Sequence, residues 1–180
     1  MTTTAKWILA GIATLGIIYY KDLKQMAKKV VSGSYFTISE LASSDTARKY
    51  GIDNTPPVDI ANKLQALIDN ILNPARTALG SAIYVNSGYR SPYLNNLVGG
   101  AADSQHLSGE AADITAGSKT KNKLLFAILA NMGNYDQLIW EGNGTWIHVS
   151  YKSNGNNRNE MLAQTNTGYM NIKNNWKQIV

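Results

Sequence analysis

The run DQLIWEGNGTWIHVSY, Asp136 to Tyr151, constrains this chain more than any other stretch. Asn143-Gly144 stands between two segments that alternate apolar and polar residues. Asn-Gly suits a two-residue type I′ hairpin turn because both central positions need positive φ. With those two residues as the loop, Gly142 faces Thr145, Glu141 faces Trp146 and Ile139 faces His148. Side chains alternate along a strand and opposed residues share a face. Glu141, Trp146, His148 and Ser150 therefore point one way, and Ile147, Val149 and Tyr151 the other. The purely apolar side belongs to a core, which leaves His148 and Glu141 as diagonal neighbours on the opposite face. A slip of one residue would undo the assignment.

The rest of the chain supplies partners for that hairpin. TISE, Thr37 to Glu40, has the form of a capping box and opens a short helix. PPVDIANKLQALIDNIL starts with Pro56 and Pro57 and sets Ala61, Leu64, Leu67, Ile68, Ile71 and Leu72 on one helical stripe. A second helix is predicted from Ser118 to Met132, with Leu124, Leu125, Ile128, Leu129 and Met132 inward. Strand-like runs begin at Ala82 (AIYV), Ala111 (AADIT), Asp136 (DQLIW) and Thr145 (TWIHVSY). Helices and strands do not alternate as βαβ units. The expected class is α+β, a small, mostly antiparallel sheet with helices packed on it. Its 180 residues hold one ordinary domain and a short extra segment. That domain is placed at 33–152, after an N-terminal segment 1–32 and before an Asn-rich extension 153–180, which either ends the sheet or wraps the surface.

Charge bears on partners. Residues 1–30 carry five lysines and one aspartate, a net +4 of the chain's +5, so the remainder is nearly neutral. Such a domain has no electrostatic footprint for a phosphate backbone, and nucleic acid is not an expected partner. The basic segment surrounds WILAGIATLGIIYY, Trp7 to Tyr20. This run is short for a membrane span, which needs about 17–25 apolar residues, and suits a signal-peptide core of about 7–15. An N-terminal hydrophobic helix serving as membrane anchor or export signal is expected, contacting the membrane through residues 7–20. The lysines after it would by themselves favour a cytoplasmic body.

The chain has two histidines and no cysteine, so any metal must be held by His, Asp or Glu. SQHLSGEAAD, Ser104 to Asp113, sets His106 in a loop before the strand that carries Asp113, with Gly109 at the turn. A catalytic zinc site uses three protein ligands and leaves one position open. His106, Asp113 and His148 would suffice, with Glu141 on the His148 face as proton acceptor. Against this, a lone histidine is more often a satisfied core residue than a ligand, and one aspartate in a strand proves nothing. Both histidines, however, fall in such contexts.

SGYRS at Ser87 to Ser91, S-x-H-x-x-G-x-A-x-D at Ser104 to Asp113 and W-I-H-V at Trp146 to Val149, in this order, resemble the zinc D-Ala-D-Ala carboxypeptidases and L-Ala-D-Glu endopeptidases. These peptidoglycan peptidases have the hedgehog/DD-peptidase fold, and the likeness covers roughly 35–152. It implies one zinc held by His106, Asp113 and His148, a substrate contact by Arg90, and a supporting role for Ser104. In several members the catalytic acid lies three residues before the last histidine. Thr145 stands there in this chain, so Glu141 must act from the neighbouring strand.

The chemistry implied is hydrolysis of a peptide bond in the cell-wall stem peptide or cross-link, by a D,D-carboxypeptidase or an endopeptidase, bacterial or phage. Zinc would supply a Lewis acid and a water of lowered pKa, and Glu141 would carry the proton. Arg90 could hold a substrate carboxylate or the developing oxyanion, or could equally serve in an ion pair. Trp146 and Tyr89 could wall the cleft or simply pack. Asp136 is the reserve base, while Asp103 and Glu110 read as solvated or capping residues. The competing reading is an inactive membrane-anchored wall-binding or structural module on the same fold. The expected setting is the cell envelope or a virion, with a monomeric catalytic domain.

Overall fold

A computed structural model describes residues 33–180. The predicted anchor at residues 7–20 lies outside them. Among the described residues no helix is long and apolar enough to cross a membrane.

Six strands form one mixed sheet: β1 (Tyr84–Ser87), β2 (Ala111–Thr115), β3 (Gln137–Glu141), β4 (Trp146–Ser150), β5 (Glu160–Thr165) and β6 (Gly168–Asn171). Their spatial order is β1-β2-β4-β3-β5-β6, antiparallel throughout except between β3 and β5. The α+β class with a mostly antiparallel sheet is therefore as expected. The Asn-rich extension was read only as ending the sheet or wrapping the surface, and it adds two strands.

The hairpin register is the predicted one: Glu141 lies opposite Trp146 and Ile139 opposite His148. Asn143 (φ 52, ψ 34) and Gly144 (φ 87) take positive φ, and the Thr145 N–H donates to the Gly142 carbonyl at 3.2 Å. Gly142 is itself at φ 53, so the ladder stops at the Glu141–Trp146 pair rather than continuing to 142 and 145. The turn is held from behind by Asn122, fully buried. Its Nδ2 donates to the carbonyls of Gly144 and Thr145, both at 2.9 Å, while its Oδ1 accepts from the Ala116 N–H at 2.6 Å.

Pleating divides the sheet into two chemically distinct faces. Ala112, Ile114, Ile147, Val149, Leu138, Trp140, Met161 and Ala163 point into the core. The helices are α1 (Ile38–Leu41), α2 (Asp45–Tyr50), α3 (Val58–Leu67), α4 (Asn73–Leu79), α5 (Pro92–Leu97), α6 (Lys119–Met132) and α7 (Trp176–Ile179), and α1, α3, α4, α6 and α7 contribute to that core. Of these, α6 packs directly on β3 and β4. Thr37 caps α1 as predicted, its Oγ1 accepting from the Glu40 N–H at 3.1 Å. Leu64, Leu67, Ile68, Ile71 and Leu72 are fully buried along the predicted stripe.

That helix does not end at Leu72. It passes through one π turn, Ile68–Leu72, into α4. Pro74 has no N–H to give the Asn70 carbonyl four residues back, and Asn134 Nδ2 donates to that carbonyl instead, at 3.0 Å. In α6 the buried residues are Asn122, Leu125, Phe126 and Leu129, whereas Leu124 is exposed, contrary to expectation. Leu125 and Leu129 are inward and Ile128 and Met132 pack against the core, as predicted, and Phe126 joins them, edge-on against Trp140 with ring centroids 5.6 Å apart.

Candidate active site

The other face of the sheet carries a row of opposed residues: Asp113 on β2, His148 on β4, Ile139 on β3 and Leu162 on β5. Two loops close over the β2 end of this row, Gly88–Ser91 after β1 and the His106 loop before β2. The Arg90 N–H donates to the His106 carbonyl at 3.2 Å, joining them. Gly88 must be glycine, since a Cβ there would lie 2.2 Å from the Leu41 carbonyl oxygen. Gly109 has φ +69 and presses against Ile60, which makes the turn expected of it possible.

Three donor atoms converge in this space. His106 Nε2 lies 3.3 Å and His148 Nδ1 2.9 Å from Asp113 Oδ1, and the three residues could hold one metal ion. Ligands about 2.0–2.1 Å from a tetrahedral ion are separated by similar distances. The outward atoms of His106 and Asp113 are tied to the protein. His106 Nδ1 is 2.6 Å from the Gly88 carbonyl, so that nitrogen carries the proton and Nε2 presents its lone pair. Asp113 Oδ2 accepts from Arg90 Nη2 at 3.0 Å, and Arg90 Nε donates to Ser87 Oγ at 2.8 Å. Burial opposes ionisation of Asp113, but when the two imidazoles carry protons toward it their hydrogen bonds and charge outweigh burial and hold the carboxyl well below the usual range. A largely buried carboxylate facing two imidazole nitrogens, one of them on a ring held by a backbone carbonyl, fits a divalent cation.

A cleft of about 810 Å³ opens over these atoms. Arg90, Ser104, Glu141 and Tyr169 are among the residues that line it. Ser104 Oγ accepts from the His106 N–H at 3.4 Å, which helps shape the loop. Glu141 is anchored through both oxygens: Trp146 Nε1 donates to Oε2 at 2.5 Å and the Tyr169 hydroxyl to Oε1 at 3.0 Å. Trp146 does not line the cleft. Tyr89 is buried in the core and walls nothing.

Asp136 is not available as a reserve base. It is fully buried and accepts from Arg158 Nε and Nη2, the Arg158 N–H and Gln105 Nε2, at 2.7 to 3.1 Å. Burial would raise its pKa, yet the Arg158 and Gln105 hydrogen bonds bring it down to about 2 from an ordinary 3.8. A depression of that size contributes about 2 kcal/mol of stability. This contribution is complete above the unfolded-state value and is lost as pH falls through about 2. Asp136→Asn is therefore expected to be less stable than wild type near neutral pH and to show a flatter decline between pH 5 and pH 2. Urea unfolding across that range measures the two slopes, and parallel curves would refute the assignment.

The sequence model of the Peptidase M15 family matches residues 34–150. The chain belongs to that family. The match takes in both loops, the three converging residues and the Glu141 hairpin, and stops before β5. This M15 chain is also 49% identical over 49 residues to the zinc D-Ala-D-Ala carboxypeptidase of Streptomyces albus G. That alignment covers 27% of this chain and 19% of the relative, about a fifth of its length.

Sequence reasoning overlooked two groups at the M15 site. Asn54 braces the Gly88–Ser91 loop, giving Nδ2 to the Ala42 and Tyr89 carbonyls at 2.8 and 3.0 Å and accepting the Ser91 N–H at 2.7 Å. Tyr169 reaches Glu141 from the Asn-rich extension. Neither carries a local signal: one lies in a loop and the other in a weakly patterned strand.

Proposed function

We propose that this protein is a zinc-dependent peptidoglycan peptidase that hydrolyses a peptide bond of the stem peptide or cross-link. The observation that carries the reading is the meeting of His106 Nε2, Asp113 Oδ1 and His148 Nδ1 on the polar sheet face, with a carboxylate from the neighbouring strand lining the same cleft. The family and the carboxypeptidase relative support zinc as the ion and the cell-wall peptide as substrate.

His106, Asp113 and His148 would hold zinc, which when bound would supply a Lewis acid and lower the pKa of water toward about 7. Glu141 accepts a proton from the attacking water and returns it to the leaving amine. Arg90 has donors left after its bonds to Ser87 and Asp113, and these receive a substrate carboxylate or the oxyanion that develops at the scissile carbonyl. Ser104 keeps the His106 loop in register. The cleft volume is within the range of sites that enclose small ligands, about 300–1,000 Å³.

Incubating the purified protein with peptidoglycan should release fragments, 1,10-phenanthroline should stop the release, and added zinc should restore it. Mass spectra of the products identify the bond: loss of a terminal D-Ala marks a carboxypeptidase, and scission within the stem or cross-link an endopeptidase. Zinc-loaded protein that binds the wall and releases nothing would favour a wall-binding module instead.

A further inference from the structure

The β5–β6 hairpin lies beyond the segment matched to the family, yet it reaches the residue on which the proposed proton transfer depends. Gln164 and Tyr169 are opposed across the hairpin and therefore share one face. Both act on one dipeptide. The Tyr169 hydroxyl donates to Glu141 Oε1 at 3.0 Å, and Gln164 Oε1 accepts the Gly142 N–H at 2.9 Å. Leu162, two residues before Gln164, lines the cleft beside Ile139. The hairpin thus does more than extend the sheet. It grips the Glu141 side chain at one oxygen and the backbone just after it, while Trp146 grips the other oxygen.

Without Tyr169 the carboxylate would keep one anchor and could turn about its last side-chain bonds, which are broad in their rotational preference. The contact leaves a mark on Tyr169 itself. Partial burial, then the Glu141 charge and hydrogen bond, then the Asp113 charge, raise its pKa above the ordinary tyrosine value.

We infer that Tyr169, presented by the β5–β6 hairpin, is a positioning residue that holds Glu141 in its proton-accepting orientation, with Gln164 fixing the backbone beside it. This rests on the peptidase reading given above. In the full-length, zinc-loaded protein, Tyr169→Phe removes only the hydroxyl. It should retain zinc and its thermal midpoint, leave KM near the wild-type value and lower kcat about tenfold, the scale of one hydrogen bond to a charged group. Gln164→Ala should lower kcat in the same direction.

A second readout needs no turnover. The tyrosinate absorbance of wild type minus that of Tyr169→Phe, followed against pH, isolates the Tyr169 ionisation. The same difference taken in a Glu141→Gln background should show that ionisation at lower pH. Unchanged kcat in an active Tyr169→Phe enzyme, or a Tyr169 ionisation indifferent to Glu141→Gln, would overturn the positioning role. A wild-type protein that holds zinc and hydrolyses no peptidoglycan peptide would instead refute the peptidase reading, while the absorbance titration would still decide whether the contact exists.

Discussion

Replacing His148 with Ala is expected to abolish metal binding and hydrolysis together. The three donors lie on three separate segments, the loop before β2, β2 itself and β4, and nothing else among the described residues is grouped to replace a lost one. Two ligands give a site far less affinity than three, and the same loss removes the activation of water. His106→Ala should behave alike, with the further consequence that the Gly88 carbonyl loses its partner. Metal analysis after exhaustive dialysis, beside a circular dichroism spectrum to establish folding, reads the result. Stoichiometric zinc in folded His148→Ala would remove this residue from the ligand set.

Glu141→Gln should separate binding from chemistry. The amide keeps the shape of the side chain and can still receive the Trp146 and Tyr169 donors, but it cannot take a proton. Zinc content should match wild type while turnover falls by roughly 10² to 10⁴, the usual contribution of a positioned acid–base group. Full activity in Glu141→Gln would show that another group carries the proton. Asp136 is a poor candidate for that duty, being buried and already bonded to Arg158 and Gln105. The variant also serves the Tyr169 experiment, so one protein tests both the base and its support.

Much of the site was legible in the chain because the relevant signals are local. Asn143-Gly144 demands positive φ at consecutive positions, and that requirement alone sets the register that places Glu141 and His148 on one face. AADIT was read as a strand carrying Asp113, and in the sheet Asp113 stands on the face opposite the core-facing Ala112 and Ile114. The family resemblance joined these elements to Arg90 and His106. The helix of residues 119–132 was found from its period, and of its predicted inward residues only Leu124 is exposed. Phe126, which the aliphatic pattern passed over, also turns inward against Trp140.

The amino-acid sequence by itself determined the two faces of the hairpin, the capped helices and the identity of every group able to ligate a metal, since each follows from backbone preference or from side-chain chemistry over a few residues. Only the tertiary structure decided what those groups do to one another. It turned Asp136 from a reserve base into a buried ion-pair partner, moved Tyr89 into the core, aimed the Gly88 carbonyl at His106, and brought Tyr169 to Glu141 across 28 positions of chain. Pairing of distant strands depends on a sheet that must first exist. Parallel addition of β5 to β3 has no turn or spacing to announce it, because its energy comes from covering Met161 and Ala163 with helices found elsewhere in the chain.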